Sequence, residues 1–232
     1  MPDPAGSVLP VERPALLSFD VFGTLVSVRD SSYPAFERIL AATRGPAVDV
    51  RAFWEAWEEE NIAGYWKPYR PYREICRESL RICFERFGVR GDLSLIGHYF
   101  DAFARFTLYD DVLPTLEKLS KNHRLAVVSN IDDDLLAATP LKRDFDLVCT
   151  AQKAGGYKPD GTLFRHLIVQ AGVPRDAILH SGQSQFTDLV GAKPLDLAVV
   201  WINRRGIALS PRVPKPDLEL PDIAGLLPML GA

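Results

Sequence analysis

Five short runs in this chain are nearly continuous in apolar residues: ALLSFD (15–20), RLAVVSN (124–130), FDLVCT (145–150), DAILHSG (176–182) and LAVVWIN (197–203). A strand with one face in water alternates apolar and polar side chains. A strand covered on both faces has no reason to alternate. Helix-like stretches lie between the runs: VLPTLEKLSKN, GTLFRHLIVQAG and FTDLVGAKPL. Strand–helix alternation of this kind predicts an α/β fold, a doubly wound parallel sheet.

The stretch from 28 to 108 interrupts the alternation. It is rich in aromatic and charged residues, as in VRAFWEAWEEENIAGYW and YREICRESLRICFERFG. Apolar residues recur there at spacings of three and four; Ile75, Ser79, Ile82, Cys83 and Phe84 mark one helix face, and no strand-like run occurs. The expected organisation is a Rossmann-like core of 1–27 and 109–232 with an inserted helical cap of 28–108. Trp54, Trp57 and Trp66 stand at near-helical spacing and are expected in the cap interior.

Several function classes are disfavoured. Net charge is −3, and no broad basic field argues for nucleic acid. No stretch of about 18 apolar residues argues for a membrane span. Cys76, Cys83 and Cys149 have no CxxC spacing, so buried free thiols in a reducing cytoplasm are the expectation, with neither disulfides nor zinc. MPDPAGSVLPVERP lacks the basic start and long apolar run of a secretory signal, and its prolines predict a loose leader.

Open α/β sheets bind ligands at the carboxyl ends of their strands. Asp20 ends the first run and enters DVFGTL, a tight turn whose glycine lets backbone N–H groups face the carboxylate. A carboxylate surrounded by a cation and fixed donors can act as a nucleophile, although a turn or cap role is the commoner one after a strand. Ser129 and Asn130 end the second run and offer a hydroxyl and an amide to an oxyanion, carboxylate or halide; Asn130 is equally placed to cap the helix starting DDDLL. Lys158, in AGGYKPD, could turn inward to keep Asp20 ionised, or stay in solvent. Asp188, in SGQSQFTDLVGAKP, could anchor Lys158, bind a metal, or complement a helix dipole. His180 has no evident partner and is read as structural.

DVFGTL, SN, YKPD and GQSQFTDLVGA, in this order at strand ends, resemble the four motifs of the haloacid dehalogenase-like hydrolase superfamily. The resemblance covers nearly the whole chain, and VVWINRRG looks like the 2-haloacid dehalogenase branch. It implies that Asp20 is the nucleophile, with Thr24, Lys158 and Asp188 completing the catalytic set. Phosphatases of the superfamily carry a second aspartate two residues after the nucleophile and another beside the motif-four glycine, as a magnesium ligand. Phe22 and Gln183 stand at these places. Phe22 has no proton to exchange, and Gln183 is a neutral, poorer ligand for a hard dication.

Dehalogenases of the branch need neither group, because a halide leaves as a weak base. The resemblance therefore implies a metal-independent hydrolase, without cofactor, that attacks the α-carbon of a small 2-haloacid and forms an aspartyl ester. Phe22, Ser129, Asn130, Gln183 and Gln185 would meet a small anionic substrate. This chain departs from the branch pattern at Gln183 and Gln185, at Phe164 in place of a tyrosine, and at Glu58, which follows Trp57 where a halide-binding arginine is usual. Lys67, Arg70 and Arg73, in YWKPYRPYRE, are the candidate replacements for that arginine. Two rivals stand beside this reading: a phosphatase of the same superfamily, which would use magnesium, and a non-catalytic binding protein on the same scaffold. The resemblance also allows a homodimer through the cap.

Overall fold

The computed structural model describes residues 9–231. Part of the proline-rich leader, residues 1–8, lies outside the described residues. The chain runs β1 (Leu16–Phe19), β2 (Val26–Ser27), α1 (Val28–Ala41), α2 (Val50–Gly64), α3 (Tyr72–Phe87), α4 (Gly97–Ala102), β3 (Thr107–Leu108), α5 (Val112–Leu119), β4 (Arg124–Ser129) and α6 (Asp133–Ala138). It continues with β5 (Leu147–Thr150), α7 (Ala151–Ala154), α8 (Thr162–Ala171), β6 (Ile178–Gly182), α9 (Val190–Ala192), β7 (Ala198–Ile202), β8 (Leu218–Leu220) and α10 (Leu226–Leu230).

Six strands form one parallel sheet in the order β5-β4-β1-β6-β7-β8. Successive residues of β1 and β4 go to opposite faces. Leu17, Phe19, Leu125 and Val127 pack with α5; Leu16, Ala126 and Val128 pack with Leu163, Phe164 and Leu167 of α8. Burial on both faces is why these strands read as unbroken apolar runs. Strands β1, β4 and β6 lie side by side, so the chain segments leaving their carboxyl ends converge on one crevice.

Between Val28 and Arg105 the regular structure is helical, and α2 packs along α3. Both aromatic-rich helices turn their spaced apolar positions inward: Phe53, Trp54 and Trp57 from α2, and Tyr72, Ile75, Cys76, Leu80 and Cys83 from α3, are buried. Ile82 is only half-buried, and Trp66 is 55% exposed just beyond α2, against the sequence expectation of a place inside. Two further elements depart from that reading. β8 adds a sixth strand, and β2 pairs with β3 as a two-residue antiparallel ribbon where the chain leaves and re-enters the sheet layer. Two or three residues are too few to show a period.

Cys76, Cys83 and Cys149 are free and buried. Burial lifts the thiols of Cys83 and Cys149 to about 12, so they are poor nucleophiles. Among the described residues no helix is long and apolar enough to cross a membrane.

Candidate active site

The turn after β1 builds the first part of the site. Asp20 continues the parallel ladder through its N–H to the carbonyl of Ser181 at 2.9 Å. The chain then folds back sharply: the N–H groups of Leu25 and Val26 both donate to the carbonyl of Val21 at 2.8 Å. Gly23 sits at φ +89°, and a Cβ there would lie 2.7 Å from the Gln183 side chain. The turn therefore needs glycine both for its dihedral and for the close approach of the motif-four loop. Thr24 Oγ1 donates to Asp20 Oδ2 at 2.6 Å and accepts the N–H of Gln183 at 2.9 Å.

Lys158 is delivered by the loop after α7. Its backbone N–H donates to Asn130 Oδ1 at 2.9 Å, so Asn130 fixes the lysine loop to the end of β4. Asp132 is the residue at the N-cap of α6, so Asn130 is not that helix's cap. The Lys158 ammonium is 1% exposed; it donates to Asp20 Oδ1, and to Asp188 Oδ1 at 2.8 Å. Asp188 lies in a short π-helical turn, Gln185–Leu189, which swings its carboxylate back under the loop to accept the N–H of Ser184 at 2.9 Å.

Sequence reasoning missed His180. It is buried in β6, with Nε2 3.2 Å from Asp188 Oδ1 and Nδ1 2.9 Å from Ser18 Oγ. This pattern puts the ring proton on Nε2, facing Asp188, and lets Nδ1 accept from the serine. A titratable residue inside a continuous apolar run was the available signal. Arg204 was missed too: it donates to the carbonyl of Thr24 at 2.9 Å and forks onto Asp111 with two contacts of 2.9 Å, clamping the turn after β1 to the start of α5.

Burial dominates at Asp20 and lifts its pKa above the ordinary carboxylate value; Asp188 adds to the lift, while Lys158 and Thr24 oppose it. At Asp188 burial works the same way, but the Lys158 charge and the His180 hydrogen bond outweigh it and hold the carboxyl low. Burial also works against the ammonium, yet the two carboxylates keep the lysine pKa above its usual value. The result is a charged triad with Asp188 as the fixed anion and Asp20 as the more basic carboxylate.

Above Asp20 lies a cavity of about 100 Å³. Its core side carries Phe22, Ser129, Asn130, Lys158 and Gln183, and its cap side carries Trp54, Trp57, Glu58, Asn61, Tyr65 and Tyr72. Phe22 meets Phe103 and Phe106 edge-on at 5.5 and 6.4 Å, so it is both a wall of the cavity and a contact with the residues after α4. Trp54 and Trp57, expected in the cap interior, therefore also face the site. Trp54 Nε1 and Ser129 Oγ are buried without a protein partner among the described residues.

Several expected anion contacts lie elsewhere. Gln185 does not line the cavity: its amide is spent on the carbonyl of Ala208 and the N–H of Ser210, tying down the loop after β7. Arg73 pairs with Asp134 at 2.5 Å and lies over the Phe100 ring. Arg70 gives its carbonyl to Tyr157 Oη, Lys67 is exposed, and neither side chain is part of the cavity wall. Arg70 and Arg73 flank Tyr72, the first residue of α3, which does line the cavity; Trp54, Trp57, Glu58, Asn61 and Ile62 of α2 make up more of that wall. Phe164 is buried against the His180 ring, supporting the site from behind.

A magnesium ion does not fit these donors. Both oxygens of Asp20 accept from Lys158 and Thr24, and both oxygens of Asp188 accept from Lys158, His180 and the Ser184 N–H. The ammonium already neutralises both carboxylates, and position 183 offers only a neutral amide. Among the described residues no group of three His, Cys, Asp or Glu is placed to hold a metal.

The chain is thus an α/β protein in which Asp20, Lys158 and Asp188, from the segments after β1, α7 and β6, meet beneath a helical cap. The haloacid dehalogenase-like hydrolase family model matches residues 15–196, and the chain belongs to that family. It is 24% identical over 216 residues to haloacetate dehalogenase H-2 of Moraxella sp. (strain B), covering 88% of this chain and 92% of that protein. It is 28% identical over 184 residues to a phosphoserine phosphatase of Thermus thermophilus, covering 75% of this chain and 71% of that one. The structure of L-2-haloacid dehalogenase from Xanthobacter autotrophicus superimposes with a TM-score of 0.80 at 21% identity, over 94% of this chain and 99% of that one, a likeness of fold.

Proposed function

We propose that this hydrolase dehalogenates a small molecule through an ester on Asp20. The observation that carries the reading is the Lys158 ammonium set between Asp20 and Asp188 beneath a cavity whose wall at position 22 is a phenyl ring. Lys158 and Thr24 hold one oxygen each of the Asp20 carboxylate and orient it as a nucleophile. The carboxylate attacks a carbon bearing halogen; the C–O bond forms as the C–X bond breaks, and the halide takes the electron pair. No acid is needed for that departure, which suits Phe22. Water then adds at the aspartyl carbonyl and the alcohol leaves. In sum, R–X and water give R–OH, halide and one proton. The similarity to a haloacetate dehalogenase over most of the chain supports this choice. The phosphatase reading lacks the second aspartate at position 22 and a fitting magnesium site.

Single turnover in heavy-oxygen water tests the proposal. Halide release should place the label first on Asp20, and a chelator should leave the rate unchanged. Label found only in the alcohol during the first turnover, or a requirement for added magnesium, would reject it. So would the absence of halide release from chloroacetate, chloroacetamide and 2-chloroethylammonium alike.

A further inference from the structure

Helix α2 presents one face to the cavity: Trp54, Trp57, Glu58, Asn61 and Ile62 recur at spacings of three and four, and Tyr65 extends the row. One member of that row is a carboxylate. Burial raises the proton affinity of Glu58, against the opposing fields of Arg29 and Arg205 and with Glu55 and Glu59 adding to the rise. A group that donates a hydrogen bond beside it would replace the water its carboxylate has lost.

Among the described residues Lys158 is the one basic residue on the cavity wall, and its ammonium is held by two carboxylates. Arg29 pairs with Glu55 at 3.3 Å and lies over the Trp54 ring, Arg73 pairs with Asp134, and Arg204 with Asp111; Arg205, whose field reaches Glu58, is exposed and is not part of the cavity wall. A substrate carboxylate entering here would face Asp20 and Glu58 together, across ring faces that are themselves electron-rich.

We propose that the cap end of the cavity receives a non-anionic N–H group of the substrate, with Glu58 as its acceptor, so that the chain takes 2-haloamides or haloalkylammonium compounds in preference to 2-haloacids. This rests on the dehalogenation reading and names the substrate class for it. An amide retains the carbonyl that activates its α-carbon toward displacement, and exchanges the carboxylate oxygen for an N–H₂ that Glu58 can accept. Asn130, whose Oδ1 is used by the Lys158 N–H, has its amide N–H₂ to offer the carbonyl. A site that hydrogen-bonds a substrate N–H discriminates strongly against an analogue lacking it.

The test compares halide release from chloroacetamide, 2-chloroethylammonium and chloroacetate by the wild type, Glu58→Gln and Glu58→Arg. The two N–H substrates distinguish an amide from an ammonium. Turnover must run well past three per chain, because chloroacetamide also alkylates thiols and the chain has three cysteines. The wild type should prefer an N–H substrate over chloroacetate by at least tenfold in kcat/KM. Glu58→Gln should lower that ratio at least tenfold, and Glu58→Arg should reverse the preference. A wild type that prefers chloroacetate, or a ratio unmoved by Glu58→Gln, overturns the proposal.

Inert probes separate this from the reaction itself. Titrations of propionamide, ethylammonium and propionate, followed by quenching of Trp54 and Trp57, need no turnover. Propionamide or ethylammonium should bind saturably and weaken tenfold in Glu58→Gln, and propionate should not compete. Binding of propionate alone, or of none of the three, overturns the Glu58 assignment. Binding of an N–H probe without any halide release overturns only the dehalogenase reading.

Discussion

The carboxylate of Asp132, from the sheet layer, accepts the backbone N–H groups of Tyr72 at 2.8 Å and Arg73 at 3.1 Å, the first two residues of α3. The residue at that helix's own N-cap is Pro71, which has no side-chain oxygen to offer. A charged acceptor supplied by another part of the chain thus caps a 16-residue helix and favours its dipole. Tyr157 adds to the same junction, donating to the carbonyl of Arg70 at 2.7 Å and stacking on Tyr65 at 4.7 Å. Tyr65 and Tyr72 both line the cavity, so this junction shapes the site.

Asp132→Ala should cost about 1 kcal/mol, the usual value of an N-cap. For a chain of this size that is a fall of roughly 2–4 °C in Tm. Amide exchange should rise first at residues 72–75, and KM should rise with it. Asp132→Asn, which keeps an acceptor oxygen but no charge, should fall between. Unchanged exchange at 72–75 in the alanine variant would show that the cap is not held this way.

The raised Asp20 pKa makes a prediction about pH in which activity and stability move oppositely. The nucleophile must be ionised, so kcat/KM should fall with decreasing pH along a limb lying above the ordinary aspartate value of about 3.9. For stability, a folded pKa above the unfolded one means the native state holds its proton more tightly. The favourable contribution is complete below about 3.9 and is lost as pH rises through the folded pKa. Asp20→Asn mimics the protonated form. It should abolish turnover, yet show a higher Tm than the wild type at pH 8, with the gap closing near pH 3. A variant less stable than the wild type at pH 8 would mean that Lys158 needs both carboxylates.

The parts of this molecule that were legible in the sequence are those set by local pattern. The unbroken runs at β1, β4 and β6 announced strands buried on both faces, and the residues at their ends include Asp20, Ser129 and Asn130, which the crossovers bring together. What was not legible depends on contacts between distant segments. Nothing local to YRPYRE says that Arg73 meets Asp134, or that Tyr72 and not its basic neighbours lines the cleft. Gln185 sits two residues from the cavity-lining Gln183, but the π-helical turn rotates it away toward Ala208. His180 looked unpartnered because its partners are Ser18, 162 residues before it, and an Asp188 carboxylate that only that turn aims back at the strand.

Gly191 shows how tightly that turn is coupled to the lysine. A Cβ at Gly191 would lie 1.9 Å from the carbonyl oxygen of Lys158 and 2.7 Å from its carbonyl carbon. The obstruction is backbone, so no side-chain rotation relieves it; either the loop carrying Lys158 or the segment after Asp188 must shift. Overpacking of this kind costs about 1–3 kcal/mol, and misplacement of a catalytic group by about 1 Å costs on the order of 100-fold in rate. Gly191→Ala should therefore stay folded with a lowered Tm and lose about 100-fold in kcat, with a smaller change in KM, because the lysine orients the nucleophile more than it shapes the cap side of the cavity. Gly97 is the control. It opens α4 at φ −53°, and a Cβ there meets nothing within 4 Å. Gly97→Ala should be neutral or more stable by up to about 1 kcal/mol, through a less flexible unfolded chain, with kcat unchanged. Equal kcat values for the two variants would mean that the approach of Gly191 to Lys158 has no part in positioning the ammonium.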